Sequence, residues 1–232
     1  MRPAVMEFAR DVAENFPIVS PLVEMGARAA EGQEDVNDMR PIFKAAQHIG
    51  CDIQPGLGVD QIEDIHHLSF ADESIGTVVA LETLEHVADP IRAVEEMYRV
   101  LRPGGVLAIS SLMFFPIHAH PWDYWRFTPE AFELLLKPFE SRLVVAQGYS
   151  ELPEGIFGVG VKGPDPDLTV ARLPRTQHIA ETWGKDLPVD FGPIKMTVRD
   201  LWGYTLKYSA QSARRKLSRL TTRKAAAGRD RV

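Results

Sequence analysis

The clearest indication of architecture is the stretch from Val78 to Ser110, which reads VVALETLEHVADPIRAVEEMYRVLRPGGVLAIS. A near-continuous apolar run, Ile75–Leu81, leads into it and predicts a strand that is buried on both faces. Asp89 suits a helix N-cap, and Pro90 suits the first helical position, where its missing N–H costs nothing. A Pro-Gly-Gly turn ends this helix, and Val106–Ser110 predicts another buried strand. The stretch therefore predicts a strand–helix–strand unit of a parallel sheet.

Outside this unit, apolar runs of strand length alternate with segments of helical periodicity. Strands are predicted at Ile18–Met25, His48–Ile53, Val59–Ile62, Leu143–Gln147 and Ile156–Lys162, the last two as an antiparallel pair. Helices are predicted within Ala4–Asn15, around Asp38–Gln47, after Asp89 with an apolar stripe of Ile91, Val94, Tyr98 and Leu101, and from Thr128-Pro129. The predicted fold class is α/β: a Rossmann-like doubly wound sheet, mostly parallel with an antiparallel final strand, plus a C-terminal helical appendage.

Composition divides the chain into three parts: an α/β domain at 1–162, a Pro/Gly-rich loop or lid at 163–195, and a basic amphipathic helix and tail at 196–232. Leu206, Ala210, Ala213, Leu217 and Leu220 form a narrow apolar seam on that helix. The seam packs on its own domain, on a second copy to form a homodimer, or on a membrane surface, and the first alternative is favoured.

The bulk charge and composition bound the location and the partners. Arg199–Val232 carries ten Lys and Arg against two acids, although the formal net charge of the chain is -6. The acidic body argues against a surface that tracks phosphates and disfavours a nucleic-acid partner, while the basic tail keeps a nucleic-acid methyltransferase as a rival interpretation. No apolar run approaches the roughly 20 residues that span a bilayer, and no transmembrane segment is predicted. Cys51 is the single cysteine, which excludes an intrachain disulfide and favours a cytoplasmic location.

The stretch from Val78 to Ser110 resembles the strand-four to strand-five unit of the class I S-adenosylmethionine-dependent methyltransferases, of the type 11-like group. The shared features are an apolar strand, a Leu-Glu-His turn, Asp-Pro, and a helix that ends in Arg-Val-Leu-Arg-Pro-Gly-Gly. The resemblance implies S-adenosylmethionine as the cofactor, and open α/β sheets bind ligands beyond the carboxyl ends of their strands.

The resemblance also implies which residues bind the cofactor: Glu24, Gly26 and Ala27 after the first strand, Asp52 and Ile53 after the second, Asp64 and Ile65 after the third, and Leu81 and Glu82 after the fourth. The acid after the second strand, Asp52, accepts the ribose hydroxyls, and Asp64 meets the adenine edge, a part that Glu63 could also play. The first loop departs from the family pattern, because Arg28 replaces the second glycine. Arg28 either binds the cofactor's carboxylate or blocks the pocket.

A second segment, HAHPWDYWRFTP from His118 to Pro129, resembles one found after the fifth strand in a subgroup of these enzymes. It lies where an acceptor approaches the methyl group, and it predicts a small organic acceptor such as a sugar, a lipid precursor or a secondary metabolite. An oxygen or nitrogen acceptor must lose a proton. His120, oriented by Asp123, is the favoured base, with His118 and His86 as alternatives.

Two other features of this segment bear on the prediction. The spacing of His118 and His120, without further ligands, is thin evidence for a metal, and no metal ligand is predicted. Trp122, Trp125 and Phe127 could simply seal the edge of the sheet.

Two rival functions follow from the irregular first loop. A catalytically inactive, methyltransferase-like binding or scaffold protein accounts for the missing glycines and for the C-terminal appendage. A nicotinamide-dependent oxidoreductase needs Gly-x-Gly-x-x-Gly after the first strand, and this chain lacks that pattern.

Overall fold

The computed structural model describes residues 2–29, 38–118, 122–149, 152–182, 189–191 and 194–196. The chain divides into two compact units after Glu181. The second unit is described at one antiparallel hairpin, formed by Val189–Phe191 and Ile194–Met196. The predicted helix that begins near Leu206 lies outside the described residues. The elements named below precede that hairpin.

The elements alternate as the sequence predicts. The strands are β1 (Leu22–Met25), β2 (His48–Asp52), β3 (Gln61–Ile62), β4 (Ile75–Leu81), β5 (Leu101–Leu112), β6 (Ser141–Tyr149) and β7 (Leu152–Val161). The helices are α1 (Pro3–Asn15), α2 (Arg40–Phe43), α3 (Pro90–Val100), α4 (Pro129–Leu135) and α5 (Pro174–Thr182), with short 3-10 turns at Leu84–His86 and Val170–Arg172. In the described part of the chain, no helix is long and apolar enough to cross a membrane.

The seven strands form one sheet in the order β3-β2-β1-β4-β5-β7-β6. Neighbouring strands from β3 to β5 are parallel, and β7 is antiparallel to both β5 and β6. This confirms the predicted doubly wound, mostly parallel sheet with an antiparallel final strand. The chain order reverses between β1 and β4, and such a switch point is where open α/β sheets bind ligands.

Both faces of the sheet are covered, as the apolar run in β4 predicts. Val78 and Ala80 point to the core that α3 and α4 close, whereas Val79 and Leu81 point to the core that α1 closes. Alternate residues of a strand face opposite sides, so a strand between two helical layers must be apolar throughout.

The helix α3 begins as predicted but turns a different face to the core. Asp89 Oδ1 accepts the N–H of Arg92 at 3.0 Å, which confirms the N-cap. The predicted stripe is wrong at its first residue, because Ile91 is 52% exposed. The buried stripe is Pro90, Ala93, Val94, Met97 and Val100. Leu101 is the first residue of β5, where it pairs with Ile75 of β4. It therefore cannot extend the stripe of the helix.

Three other elements differ from prediction. The first strand is shorter, since it begins after Pro21, and the predicted helix at Asp38–Gln47 is one turn that ends where Lys44 adopts a left-handed conformation. The segment predicted as a loop or lid contains α5. Buried Asp11 of α1 accepts the N–H and the hydroxyl of Thr176, both at 2.8 Å. This anchor is polar, so hydrophobic periodicity could not reveal the helix.

A buried carboxylate ties α3 to the loop before it. Glu96 Oε2 accepts the N–H of Leu68 at 3.0 Å, and its two oxygens pair with Arg92 and Arg99 at 2.8 Å. We expect Glu96→Gln to lower the free energy of unfolding by about 1–2 kcal/mol, because the charged acceptor is lost. Half-exposed Glu95 is the matched control, and Glu95→Gln should change stability by less than about 0.5 kcal/mol in the same urea titration. Equal effects would contradict this role of Glu96.

Candidate active site

The predicted cofactor residues gather at one edge of the sheet. Because β1, β2, β3 and β4 are parallel, their carboxyl ends meet there. The predicted residues lie either at the carboxyl end of a strand or in the loop that follows it: Glu24, Gly26, Ala27, Asp52, Ile53, Asp64, Ile65, Leu81 and Glu82. The switch point between β1 and β4 lies at the centre of this edge.

The loop after β1 is held down by its neighbours. The N–H groups of Gly26 and Ala27 donate to the Cys51 carbonyl at 2.9 and 3.0 Å. Gly26 has a φ of 76°, and a Cβ there would lie 2.5 Å from Thr83 Oγ1. The Thr83 hydroxyl donates to the Met25 carbonyl at 3.1 Å and so links β1 to the turn after β4. Position 26 therefore accepts only glycine without strain.

The acid of this loop is engaged within the protein. Glu24 is 7% exposed, and its Oε2 lies 2.8 Å from His48 Nε2 on β2. Arg28 extends along the turn after β2, where Nη1 donates to Gln54 Oε1 at 2.9 Å. The guanidinium thus lies over the turn that follows Asp52, the residue that the resemblance assigns to the ribose. Asp52 Oδ1 accepts the Gln54 N–H at 2.9 Å.

The two acids at the end of β3 play different parts. Glu63 is buried, and its Oε2 accepts the Ser69 N–H at 2.9 Å, so it holds the following loop. Asp64 Oδ1 lies 2.7 Å from His66 Nδ1 and accepts the His66 N–H at 2.9 Å. That backbone hydrogen bond holds the pKa of Asp64 below its ordinary value. Ile65 is buried beside it, whereas Ile53 of the neighbouring loop is exposed.

A group that the sequence did not indicate crosses the same edge. Arg2 precedes α1 and makes a bidentate ion pair with Glu82, at 2.9 and 3.1 Å. Its other amino group donates to Gln147 of β6 at 3.2 Å and lies 3.7 Å from Glu154 of β7. Glu82 itself has a φ of 51°, a left-handed conformation. Nothing in the local pattern around Arg2 signals this contact.

The Leu-Glu-His turn carries a buried carboxylate. Glu85 is fully buried, Oε2 accepts the Ser111 hydroxyl at 2.6 Å, and Oε1 has no hydrogen-bond partner in the described structure. Burial, and then the charge of Glu82, raise the pKa of Glu85 to about 8. The rings of His86 and His118 lie nearby in an edge-to-face contact, with centroids 4.9 Å apart. Sequence reasoning missed Glu85, although it lies within the motif that carries the resemblance.

The segment after β5 presents apolar side chains to solvent. Those that are exposed are Phe114, Phe115, Ile117, Trp122, Tyr124 and Trp125; we call this set the aromatic loop. Phe127, in contrast, is 4% exposed and joins the core. The edge-sealing interpretation therefore holds for Phe127 and is wrong for the two tryptophans.

The carboxylate of the aromatic loop has partners other than the predicted one. Asp123 accepts two hydrogen bonds from Arg126, at 2.5 and 2.7 Å, and one from the His118 N–H at 2.8 Å. The bonds from Arg126 hold the pKa of Asp123 well below its usual range. His120, the predicted partner of Asp123, lies outside the described residues.

Comparisons with known proteins agree with this geometry. A family model described as a methyltransferase domain matches residues 37–109. Methyltransferase GfsG of Streptomyces halstedii is 42% identical over 52 residues, which cover 22% of this chain and 19% of that protein. The ubiquinone/menaquinone biosynthesis C-methyltransferase UbiE of Haemophilus ducreyi is 33% identical over 93 residues, covering 38% of this chain and 36% of that protein. The matched region thus spans well under half of these relatives.

Solved structures show the same fold. A complex between the Haloferax volcanii Trm112 methyltransferase activator and a methyltransferase matches with a TM-score of 0.52 and 16% identity, over 68% of this chain and 90% of that chain. Residues 37–109 thus match a methyltransferase domain, and the sheet has the fold of the class I enzymes. The cofactor of such domains is S-adenosylmethionine.

The edge of this methyltransferase domain fits that cofactor. Gly26 has a left-handed backbone without strain, and its lack of a Cβ keeps the space between β1 and β4 open. Asp52 makes no ion pair in the described structure, so its carboxylate is available to ribose hydroxyls. The exposed Ile53 side chain follows it and offers apolar surface to a base. These three features are the ones that a nucleoside at the switch point requires.

Proposed function

We propose that this methyltransferase domain transfers a methyl group from S-adenosylmethionine to a small organic acceptor that binds against the aromatic loop. One observation carries the proposal: the exposed aromatic side chains follow β5, the neighbour of β4, and β4 borders the switch point. A contiguous patch of exposed apolar side chains usually marks a site that binds a ligand or a partner. A flat organic molecule would pack on them while its reacting atom faces the cofactor.

The chemistry requires positioning above all. The sulfonium is an activated methyl donor, so the protein must hold donor and acceptor in line and exclude water. Such positioning can supply about 7–11 kcal/mol of the barrier. Asp52 would fix the ribose, the backbone around Gly26 would seat the rest of the cofactor, and the aromatic loop would cover the acceptor.

An oxygen or nitrogen acceptor also needs a group that takes its proton, an effect of roughly 10²–10⁴-fold in rate. His86 and His118 are the imidazoles described beside the aromatic loop. His120 stays a prediction, and its partner Asp123 is engaged by Arg126. His118→Ala should therefore slow the reaction with an oxygen acceptor more than His120→Ala does, in single-turnover assays at saturating cofactor. The opposite order would restore His120 as the base.

Calorimetry with S-adenosylmethionine and S-adenosylhomocysteine tests the cofactor half of the proposal. We expect binding of both, and we expect Asp52→Ala to weaken it by roughly tenfold or more, since a charged hydrogen-bond acceptor is lost. Exposed Asp167, distant in sequence from the strand ends, supplies the control variant Asp167→Ala. If neither heat nor a thermal shift appears at millimolar ligand, the proposal fails. The inactive scaffold alternative, which the comparisons do not support, would then be preferred.

A further inference from the structure

Three potential metal ligands converge behind the aromatic loop. Glu85 and His86 lie in the turn after β4, and His118 follows β5. Each offers one ligand atom, and the three atoms lie within 4.8 Å of one another. Metal–ligand bonds of about 2.0–2.2 Å put two ligands of one ion about 3–4 Å apart, so small side-chain adjustments would let these three atoms share one cation.

The hydrogen bonds of the two imidazoles favour the neutral tautomer with the proton on Nδ1, which leaves a lone pair on Nε2 for a metal. His86 Nδ1 lies 2.5 Å from the Trp122 carbonyl oxygen. A carbonyl can only accept, so Nδ1 carries the proton and Nε2 the lone pair. His118 Nδ1 lies 3.3 Å from Asp123 Oδ2 and 3.3 Å from the Pro116 carbonyl, both also acceptors. Metal-binding histidines are oriented in this way by an oxygen on the other ring nitrogen.

The groups behind the ligands are themselves fixed. Asp123, with a side chain 3% exposed, is clamped by Arg126 and by the His118 N–H. The Ser111 hydroxyl orients Glu85 through Oε2. Among the residues that the structure describes, Glu85 Oε1 is buried and has no hydrogen-bond partner. A buried carboxylate oxygen without a partner is costly, and a cation would satisfy it.

We propose that Glu85, His86 and His118 bind a divalent transition-metal cation of the Zn²⁺ class. Two imidazoles and one carboxylate suit such ions, whereas Mg²⁺ and Ca²⁺ prefer oxygen ligands alone. Three protein ligands leave a coordination position open, as in catalytic zinc sites. The site does not depend on the proposed methyl transfer. If that activity holds, the ion would bind an acceptor hydroxyl and ease the loss of its proton, and His118 would then act as a ligand and not as the base.

The direct test is titration of the full chain, first stripped by a chelator, with Zn²⁺ and with Co²⁺. We expect one equivalent to bind, and the visible spectrum of bound Co²⁺ to report nitrogen and oxygen ligands. Glu85→Gln and His118→Ala should each weaken binding by roughly 100-fold, and Asp123→Asn by roughly 10-fold through the orientation of His118. His67→Ala is the control, since His67 lies in the loop after β3, and it should leave the affinity unchanged.

Circular dichroism of the stripped variants separates loss of a ligand from loss of the fold. If Glu85→Gln does not fold, the Asp123→Asn and His118→Ala results alone decide. The proposal is overturned if the unmodified chain binds no stoichiometric Zn²⁺ or Co²⁺, or if binding is as tight in Glu85→Gln and His118→Ala as in the unmodified chain. Because these measurements need neither cofactor nor acceptor, they stand apart from the calorimetry with S-adenosylmethionine.

Discussion

Arg2→Ala is expected to lower the free energy of unfolding by about 2 kcal/mol, because removing one partner of a partly buried ion pair leaves the other uncompensated. The Arg2 side chain is 15% exposed and faces the side chains of Glu82 and Glu154, which are both 17% exposed. Arg10, on the helix α1 that follows Arg2, is 45% exposed and pairs with Glu7. Arg10→Ala is therefore the control, and it should cost less than about 1 kcal/mol in the same denaturant titration.

The pH dependence of the Arg2→Ala variant tests whether the charge of Arg2 also acts on Glu85. The pKa of Glu85 is about 8 in the folded protein and 4.5 ordinarily. A carboxyl whose pKa is raised by folding makes the protein less stable as pH rises through that interval. The charge of Arg2 opposes this rise, so its removal should cost more at pH 8 than at pH 5, measured with a chelator present. An effect independent of pH would mean that the charge of Arg2 does not influence Glu85.

Gly26→Ala should weaken S-adenosylmethionine binding by roughly 100-fold and destabilise the fold by about 2 kcal/mol or more. The new Cβ would lie 2.5 Å from Thr83 Oγ1 and 2.9 Å from its Cγ2, so the loop between β1 and β4 must move. A displacement there alters the backbone on which the cofactor would rest. Calorimetry with the cofactor and urea unfolding measure the two effects.

Gly104 provides a matched control for this variant. Its φ of 78° equals that of Gly26 within two degrees, but a Cβ there meets nothing within 4 Å. Gly104→Ala therefore carries only the backbone cost, about 1–2 kcal/mol, and should leave cofactor binding unchanged. In the double variant Gly26→Ala/Thr83→Ala the clash is removed, so part of the affinity should return. Equal behaviour of the Gly26 and Gly104 variants would contradict the steric explanation.

Local sequence patterns predicted most of the secondary structure. They were less reliable about which face of a helix is buried and about which side chains hold a helix in place. The strand β4 and the cap of α3 follow from an apolar run and from Asp89-Pro90, which are properties of neighbouring residues. The stripe of α3 was rotated because Leu101 belongs to β5, and a helix end depends on what the next residue pairs with. The helix α5 was missed because a buried acid on α1 anchors it.

The primary structure alone established the alternation of strands and helices, and with it the edge at which Gly26, Asp52 and Leu81 lie, because parallel strands bring their carboxyl ends together. Which distant side chains meet at that edge depended on the folded chain. Arg2 reaches Glu82, and Glu85 and His86 meet His118, across separations that no periodicity encodes. Such contacts depend on how the loops lie over the sheet, and hydrophobic patterning constrains loops least.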